Sequence, residues 1–270
     1  MLLDPVNAVT SFDFYKALAK QSFGRSLLYL AYIGLVFSLL ATFALKLKIG
    51  AAVDDTFDWL AKSVPAMTYA DGKLSSTAPM PLRLQSPRAP EIALMIDTTR
   101  TDAVSPQLMT DQKVTAYVTA NALYLKQTNG ELRVWDLSKP QGQPQAGGGP
   151  AQPIRIDADF FKSAGTVLDR VMYPVAFVII FVLFVVWKLL TSVFFSLIGL
   201  LVNALGQGAL EYGALLNLAV YAQTPAIALQ VLSLFLPFAV PGGTIISLGL
   251  TTLYLWLAVK RQSEPASLPA

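Results

Sequence analysis

Chemistry in this sequence is left to carboxylates, hydroxyls and lysines, because it holds no His and no Cys. That absence removes thiol nucleophiles, imidazole bases and the usual nitrogen and sulfur metal ligands together. The sharpest polar set on an apolar background is Asp97-Thr98-Thr99, which closes the run EIALMID. Ligand groups gather at strand ends, but an Asp there more often bonds the backbone of its own turn. Asp102 and Asp111 lie too far along the next loop to complete a metal-ligand spacing, so no metal and no cofactor is expected. Asn203 and Glu211 flank Gly206-Gln207-Gly208. A carboxylate inside lipid would be functional by default, whereas one at the surface is a solvated cap, the outcome favoured here. The last set is Tyr221 to Pro225 in an apolar stretch, where a Pro-broken helix either frees carbonyls to line a cavity or kinks for packing. The packing kink is favoured. None of these sets has the spacing of a catalytic pair, and no enzyme is expected.

The element that must position them is the run 171–205, VMYPVAFVIIFVLFVVWKLLTSVFFSLIGLLVNAL, in which Lys188 is the only formal charge. As a helix it is roughly 50 Å long, against roughly 30 Å of bilayer hydrocarbon. Lipid demands internally satisfied backbone groups, so this composition means helix. It is either one long span or two pieces hinged near Trp187-Lys188, with Lys188 at the hinge or reaching a headgroup. Ser192, Ser196 and Gly199 have the spacing of small residues that lets helices approach closely, within the fold and only secondarily between copies.

Composition agrees. Of 270 residues 54% are hydrophobic and 14% charged, and the mean hydropathy is +0.53. The net charge is +3, yet 50–170 carries twelve Lys/Arg against thirteen Asp/Glu. The basic excess therefore flanks the apolar segments, and no nucleic-acid partner is expected.

Residues 1–26 are not read as a cleavable signal, because the apolar stretch starts late and no small-residue cleavage site follows. Their Phe12, Phe14, Tyr15, Leu18 and Phe23, interleaved with Lys16 and Lys20, suit an amphipathic helix over 11–23 lying on the membrane, or simply a basic lead into the first span. That span is 27–45, within a helix segment placed at 27–49. Residues 50–170 change to soluble composition. The stretch 54–64 predicts a short helix stopped by Pro65, Asp71-Gly72 a turn, and 79–90 a Pro-punctuated run. Strands are expected at 91–97, 113–125 and 131–137, with Asn129-Gly130 turning a hairpin between 123–127 and 131–137, in an antiparallel β-rich domain. The Pro/Gly/Gln stretch 139–153 reads as a flexible loop, and 154–169 as the return to the membrane, with Asp157 the cap of its helix. The region 171–261 is helical membrane, with Pro225 kinking or starting a helix and Pro237 and Pro241-Gly242-Gly243 turning into a last span at 244–259, before the tail 262–270.

The N-terminal Phe12-Asp13-Phe14-Tyr15-Lys16, Gly24, Asp71-Gly72, Ile96-Asp97-Thr98-Thr99 and the motif Ala219-Val220-Tyr221-Ala222-Gln223-Thr224-Pro225 occur in an order that resembles a bacterial membrane family. It is the one catalogued as domain of unknown function 1189, itself related in its helices to the Yip family. The resemblance brings no catalytic residues with it. The 139–153 insertion and the Pro-rich tail depart from it.

The expected fold is a membrane α-helical bundle of four spans, or five if 171–205 is hinged, with a small extracytoplasmic β-rich (α+β) domain between spans 1 and 2. The expected place is the bacterial inner membrane, multi-pass, with a cytoplasmic N-terminus and 50–170 outside. Lys260 and Arg261 favour a cytoplasmic C-terminus and hence four spans. The expected role is a non-enzymatic scaffold or accessory subunit whose outer domain binds another membrane or envelope protein; the alternative is a component of a lipid or small-solute transporter.

Overall fold

A computed structural model describes residues 2–86, 93–127, 129–138, 153–206, 209–238 and 240–263. In chain order its elements are α1 (Asp4–Thr10), α2 (Phe14–Leu18), α3 (Phe23–Ser63), β1 (Met67–Ala70), β2 (Lys73–Ser76), β3 (Leu82–Gln85), β4 (Ala93–Asp97), α4 (Pro106–Asp111), β5 (Ala116–Thr119), β6 (Ala122–Lys126), β7 (Leu132–Asp136), β8 (Ile154–Ile156), α5 (Ala158–Leu205), α6 (Tyr212–Ala222), α7 (Thr224–Leu234) and α8 (Gly243–Ser263). They form two compact units, one of Met1–Lys48 with Val171–Ala270 and one of Ile49–Arg170. The loop expected at 139–153 lies, save for Pro153, outside the described residues, as do Gln207, Gly208, residues 87–90 of the Pro-punctuated run and most of the tail.

Among the described residues four helical segments are long and apolar enough to cross a membrane: α3, α5, the α6–α7 pair and α8. The short helix expected at 54–64 does not stand alone, for α3 runs unbroken over 41 residues. The intervening KLKIGAAV consists mostly of good helix formers, and its single Gly50 costs only about 1 kcal/mol. Pro65, lacking an N–H and restricting the residue before it, ends α3 near Ser63. The helix α5 is likewise one piece of 48 residues, without a hinge at Trp187-Lys188. Its start is capped as expected, Asp157 Oδ1 accepting from the amides of Asp159 and Phe160 at 3.1 Å.

The N-terminal segment departs from a surface helix over 11–23. It folds as α1 and α2, and Tyr15 and Leu18 are 0% and 2% exposed in the helical core. Ser11 and Asp13 favour helix ends over interiors, and Phe12, Phe14, Tyr15 and Leu18 need burial on more than one side, which protein supplies and a flat bilayer surface does not. The segment lies against the end of α8. Tyr254 donates to the Val9 carbonyl at 3.0 Å, Gln262 to the Tyr15 carbonyl at 2.9 Å, and Arg261 pairs with Asp13 at 3.2 Å.

At the centre of this unit is α6, in which every residue from Asn217 to Ala222 is buried. Around it pack Tyr29 and Leu30 of α3, Phe184 and Phe195 of α5 and Leu255 and Ala258 of α8. Ser192 and Ser196 are fully buried, and a Cβ on Gly199 would meet Leu215 at 3.4 Å, so this small-residue spacing serves packing within the fold. The opposite face of α5, including Leu183, Leu190, Phe194 and Leu201, is exposed and apolar. The helices α3 and α5 approach where Gly34 leaves room. A Cβ there would stand 2.9 Å from Val185 and 3.3 Å from Phe184, beside the Phe37–Phe184 stack at 4.4 Å. Gly34→Val should therefore lower the thermal midpoint of the detergent-solubilised chain by an amount equivalent to about 1–3 kcal/mol of overpacking; Gly213→Ala, which meets nothing within 4 Å, should not.

The second unit holds a five-stranded sheet, β3-β4-β5-β6-β7, and a three-stranded sheet, β2-β1-β8. Both foreseen turns are present. Asp71 and Gly72, at φ +50° and +75°, turn β1 into β2, and Gly130, at +84°, helps turn β6 into β7. Three expectations are corrected. The stretch 113–125 is a hairpin rather than one strand, because Thr119 Oγ1 accepts from the Ala122 amide at 3.0 Å and closes a turn at Ala120-Asn121. The sheet is not wholly antiparallel. The strands β4 and β5 run parallel, joined by a crossover containing α4, which Ser105 caps by accepting from Leu108 at 3.2 Å. Residues 154–156 form the strand β8 on β1 before the chain turns helical.

Candidate functional site

The polar residues of the helical unit converge where α6 meets α7. Pro225 has no N–H to offer the carbonyl four residues earlier, that of Tyr221, so the helix breaks at Gln223 and restarts. The freed carbonyl is met in part by the N-terminal segment. The Tyr15 hydroxyl donates to the Ala8 carbonyl at 2.8 Å and stands 3.5 Å from that of Tyr221. Burial, reinforced by the Tyr29 and Tyr254 hydroxyls, pushes the Tyr15 phenol far above its ordinary range, so it remains a donor at any working pH.

The Gln223 side chain ties the break to α5. Its amide nitrogen donates to Ser192 Oγ at 2.7 Å and to the Lys188 carbonyl at 3.3 Å, and its oxygen accepts from Thr191 at 2.8 Å. Thr224 and Tyr29 join their hydroxyls at 2.7 Å, and Tyr29 lies flat on Tyr221 at 3.8 Å and 12°. One turn earlier, Asn217 donates to the Gln21 carbonyl and accepts from Ser26, each at 2.7 Å. Lys188 turns into the bundle at 6% exposure, its ammonium 5.6 Å from the Phe184 ring, and neither hinges α5 nor reaches out of it.

Of the residues singled out by sequence, Tyr221 and Pro225 fall in this set, both buried. Asp97, Thr98 and Thr99 belong to the other unit. There Asp97 Oδ1 accepts from the Thr99 amide at 3.2 Å and hydroxyl at 2.6 Å, a local turn, while Oδ2 faces Tyr117 at 3.4 Å. Asn203 pairs its amide with the backbone of Leu210, at 3.2 and 3.4 Å. Glu211 is exposed and precedes α6 without a side-chain cap. Tyr29, Thr191 and Asn217 are not among the residues that the sequence points to, and Tyr15 enters there only as part of the amphipathic segment and the N-terminal motif. The available signal was a polar residue interrupting each apolar run, as Thr191-Ser192 does after Lys188. Among the described residues no three carboxylates gather as a metal site would require. The hydroxyls and amides of this set bond one another across the helices.

A phenylalanine at 15 keeps the ring and deletes the donor. Tyr15→Phe should cost about 1–3 kcal/mol at neutral pH by orphaning a buried carbonyl. Because the phenol ionises only in the unfolded chain as pH rises past about 10, its contribution is present below that pH and declines above it. The variant's midpoint should therefore fall less steeply between neutral and strongly alkaline pH than the parent's.

By the length and composition of its helices the chain has the character of a multi-pass helical membrane protein. It belongs to a family described as a protein of unknown function, DUF1189, whose match covers residues 6–259. No curated protein and no solved structure matches it.

Proposed function

We propose that the chain is a non-enzymatic membrane anchor of the bacterial inner membrane that crosses it four times, with both ends in the cytoplasm. Residues 50–170 lie outside the cytoplasm and bind or support another envelope protein. The observation that carries this proposal is the filled state of the polar helix break at Gln223. Tyr15, Leu218 and Tyr221 are 0% exposed and Gln223 2%, and the break's amide and hydroxyls bond one another rather than facing an opening. A transport path needs polar groups that a solute can reach. The pairing of Asp13 with Arg261 supports an even number of crossings, because it joins the segment before α3 to the end of α8.

The test is photo-crosslinking in intact cells from exposed positions of the second unit, Thr77 and Glu131, followed by purification in mild detergent. A discrete crosslinked partner, lost when 52–168 is replaced by a short linker, is expected. Unchanged partners and phenotype after that replacement would refute the anchor role. Lys188 beside the break favours transport as the alternative, and solute or lipid flux in proteoliposomes of the purified chain would establish it.

A further inference from the structure

Beyond the break, the helical unit holds a cavity of about 560 Å³ between the ends of α5 and α8, bordered on one side by Ala209 and Leu210. Its walls are Val202, Leu205, Leu210 and Val259, and its charged member is Lys260, with the Trp256 ring 5.4 Å from the ammonium. Apolar walls beneath one cation and one indole match the two halves of a lipid: acyl carbons below, a charged headgroup above. The size suits a headgroup with its glycerol and the first acyl carbons.

The charge at this end selects the headgroup. In sequence Lys16, Lys20, Arg25, Lys260 and Arg261 fall on the segments at or leading to it, against Asp4, Asp13, Glu211 and Glu264, and Asp13 is engaged by Arg261 at 3.2 Å and Lys16 at 3.9 Å. The carbonyl ends of α5 and α8 also point this way and oppose an anion, an effect that Lys260 and Arg261 in the last turn of α8 offset. The Asn203 amide is already bonded to Leu210 and shapes the wall. We infer that this cavity binds one anionic phospholipid, its phosphate at Lys260 and its acyl chains along Leu205 and Val259.

Trp256, 44% exposed at the rim, reports occupancy. With Trp59, Trp135 and Trp187 replaced by Phe in the full chain, nanodiscs of phosphatidylcholine containing a minor fraction of brominated phosphatidylglycerol should quench Trp256. Quenching should exceed that by brominated phosphatidylcholine about fivefold in effective affinity, the effect of one lysine at an anionic surface, and Lys260→Gln should abolish the difference. Soluble glycerol phosphate should not compete, because it lacks the chains. Competition by it would show a phosphate site instead of a lipid site and overturn the inference. Equal quenching by both lipids, or an unchanged preference in Lys260→Gln, also overturns it. If the single-tryptophan background does not fold, native mass spectrometry of the parent and Lys260→Gln decides the matter. A retained phosphatidylglycerol adduct lost in the variant is expected, and equal adducts contradict it. Failure here leaves the anchor proposal standing, since that depends on the second unit's partner.

Discussion

Tyr221→Ala should lower the thermal midpoint of the detergent-solubilised chain by on the order of 10 °C, reflecting a loss of about 3–5 kcal/mol. The ring is fully buried, stacked on Tyr29 at 3.8 Å and met edge-on by Phe14 at 5.8 Å, so its removal opens a cavity among three segments at once. Tyr221→Phe should change little, because the buried hydroxyl makes no hydrogen bond of standard geometry that would be lost. Gln223→Leu falls between them. Thr191 and Ser192 keep intrahelical acceptors, the Trp187 carbonyl at 3.1 Å and the Lys188 carbonyl at 2.7 Å, so the loss is about 1–2 kcal/mol. If Tyr221→Phe were as damaging as Tyr221→Ala, the hydroxyl rather than the packed ring would be the important group, and the break would not be the packing joint described above.

In the second unit the largest effect belongs to Gly72→Ala. The residue stands at φ +75°, and a Cβ there would lie 2.9 Å from the Ser138 Cα, a backbone atom that cannot swing aside. Left-handed geometry alone costs a non-glycine residue about 1–2 kcal/mol, and the collision raises the loss to about 3 kcal/mol or more. Hydrogen exchange followed by mass spectrometry should show the β1–β2 amides, bonded across the Met67–Ser76 to Ala70–Lys73 register, exchanging far faster in the variant. Gly130→Ala is the control. It shares a positive φ, +84°, but meets nothing within 4 Å, so only the conformational cost should appear.

What could be read from sequence was local. The helical character of 171–205, the Asp157 cap, the stop before Pro65, the break at Pro225 and two glycine turns all follow from composition and from residues with fixed backbone preferences, whereas the choice between one helix and a hinged pair over 171–205 does not. What could not be read depends on partners far along the chain. The strand β8 pairs with β1, and β5 lies parallel to β4 across a crossover, neither of which a period of two can announce. The N-terminal segment shows why an amphipathic pattern alone is ambiguous. Phe12, Phe14, Tyr15 and Leu18 demand an apolar neighbour without saying whether it is lipid or protein, and here Tyr221 and Tyr254 provide it. At the candidate site the motif Tyr221 to Pro225 was visible as a break. That Gln223 reaches Thr191 and Ser192, and Tyr29 reaches Thr224, was not, because bonds across 31 to 195 residues leave no periodic trace.

The threading of the chain can be tested most directly by labelling. The sequence contains no cysteine, so a single introduced thiol reports without background. Thr77→Cys and Ser22→Cys both place it at an exposed position, one in each unit. With a membrane-impermeant maleimide on intact spheroplasts, the four-crossing account predicts that Thr77→Cys is labelled at once and Ser22→Cys only after permeabilisation. Labelling of Ser22→Cys in intact spheroplasts, or protection of Thr77→Cys until lysis, would contradict it.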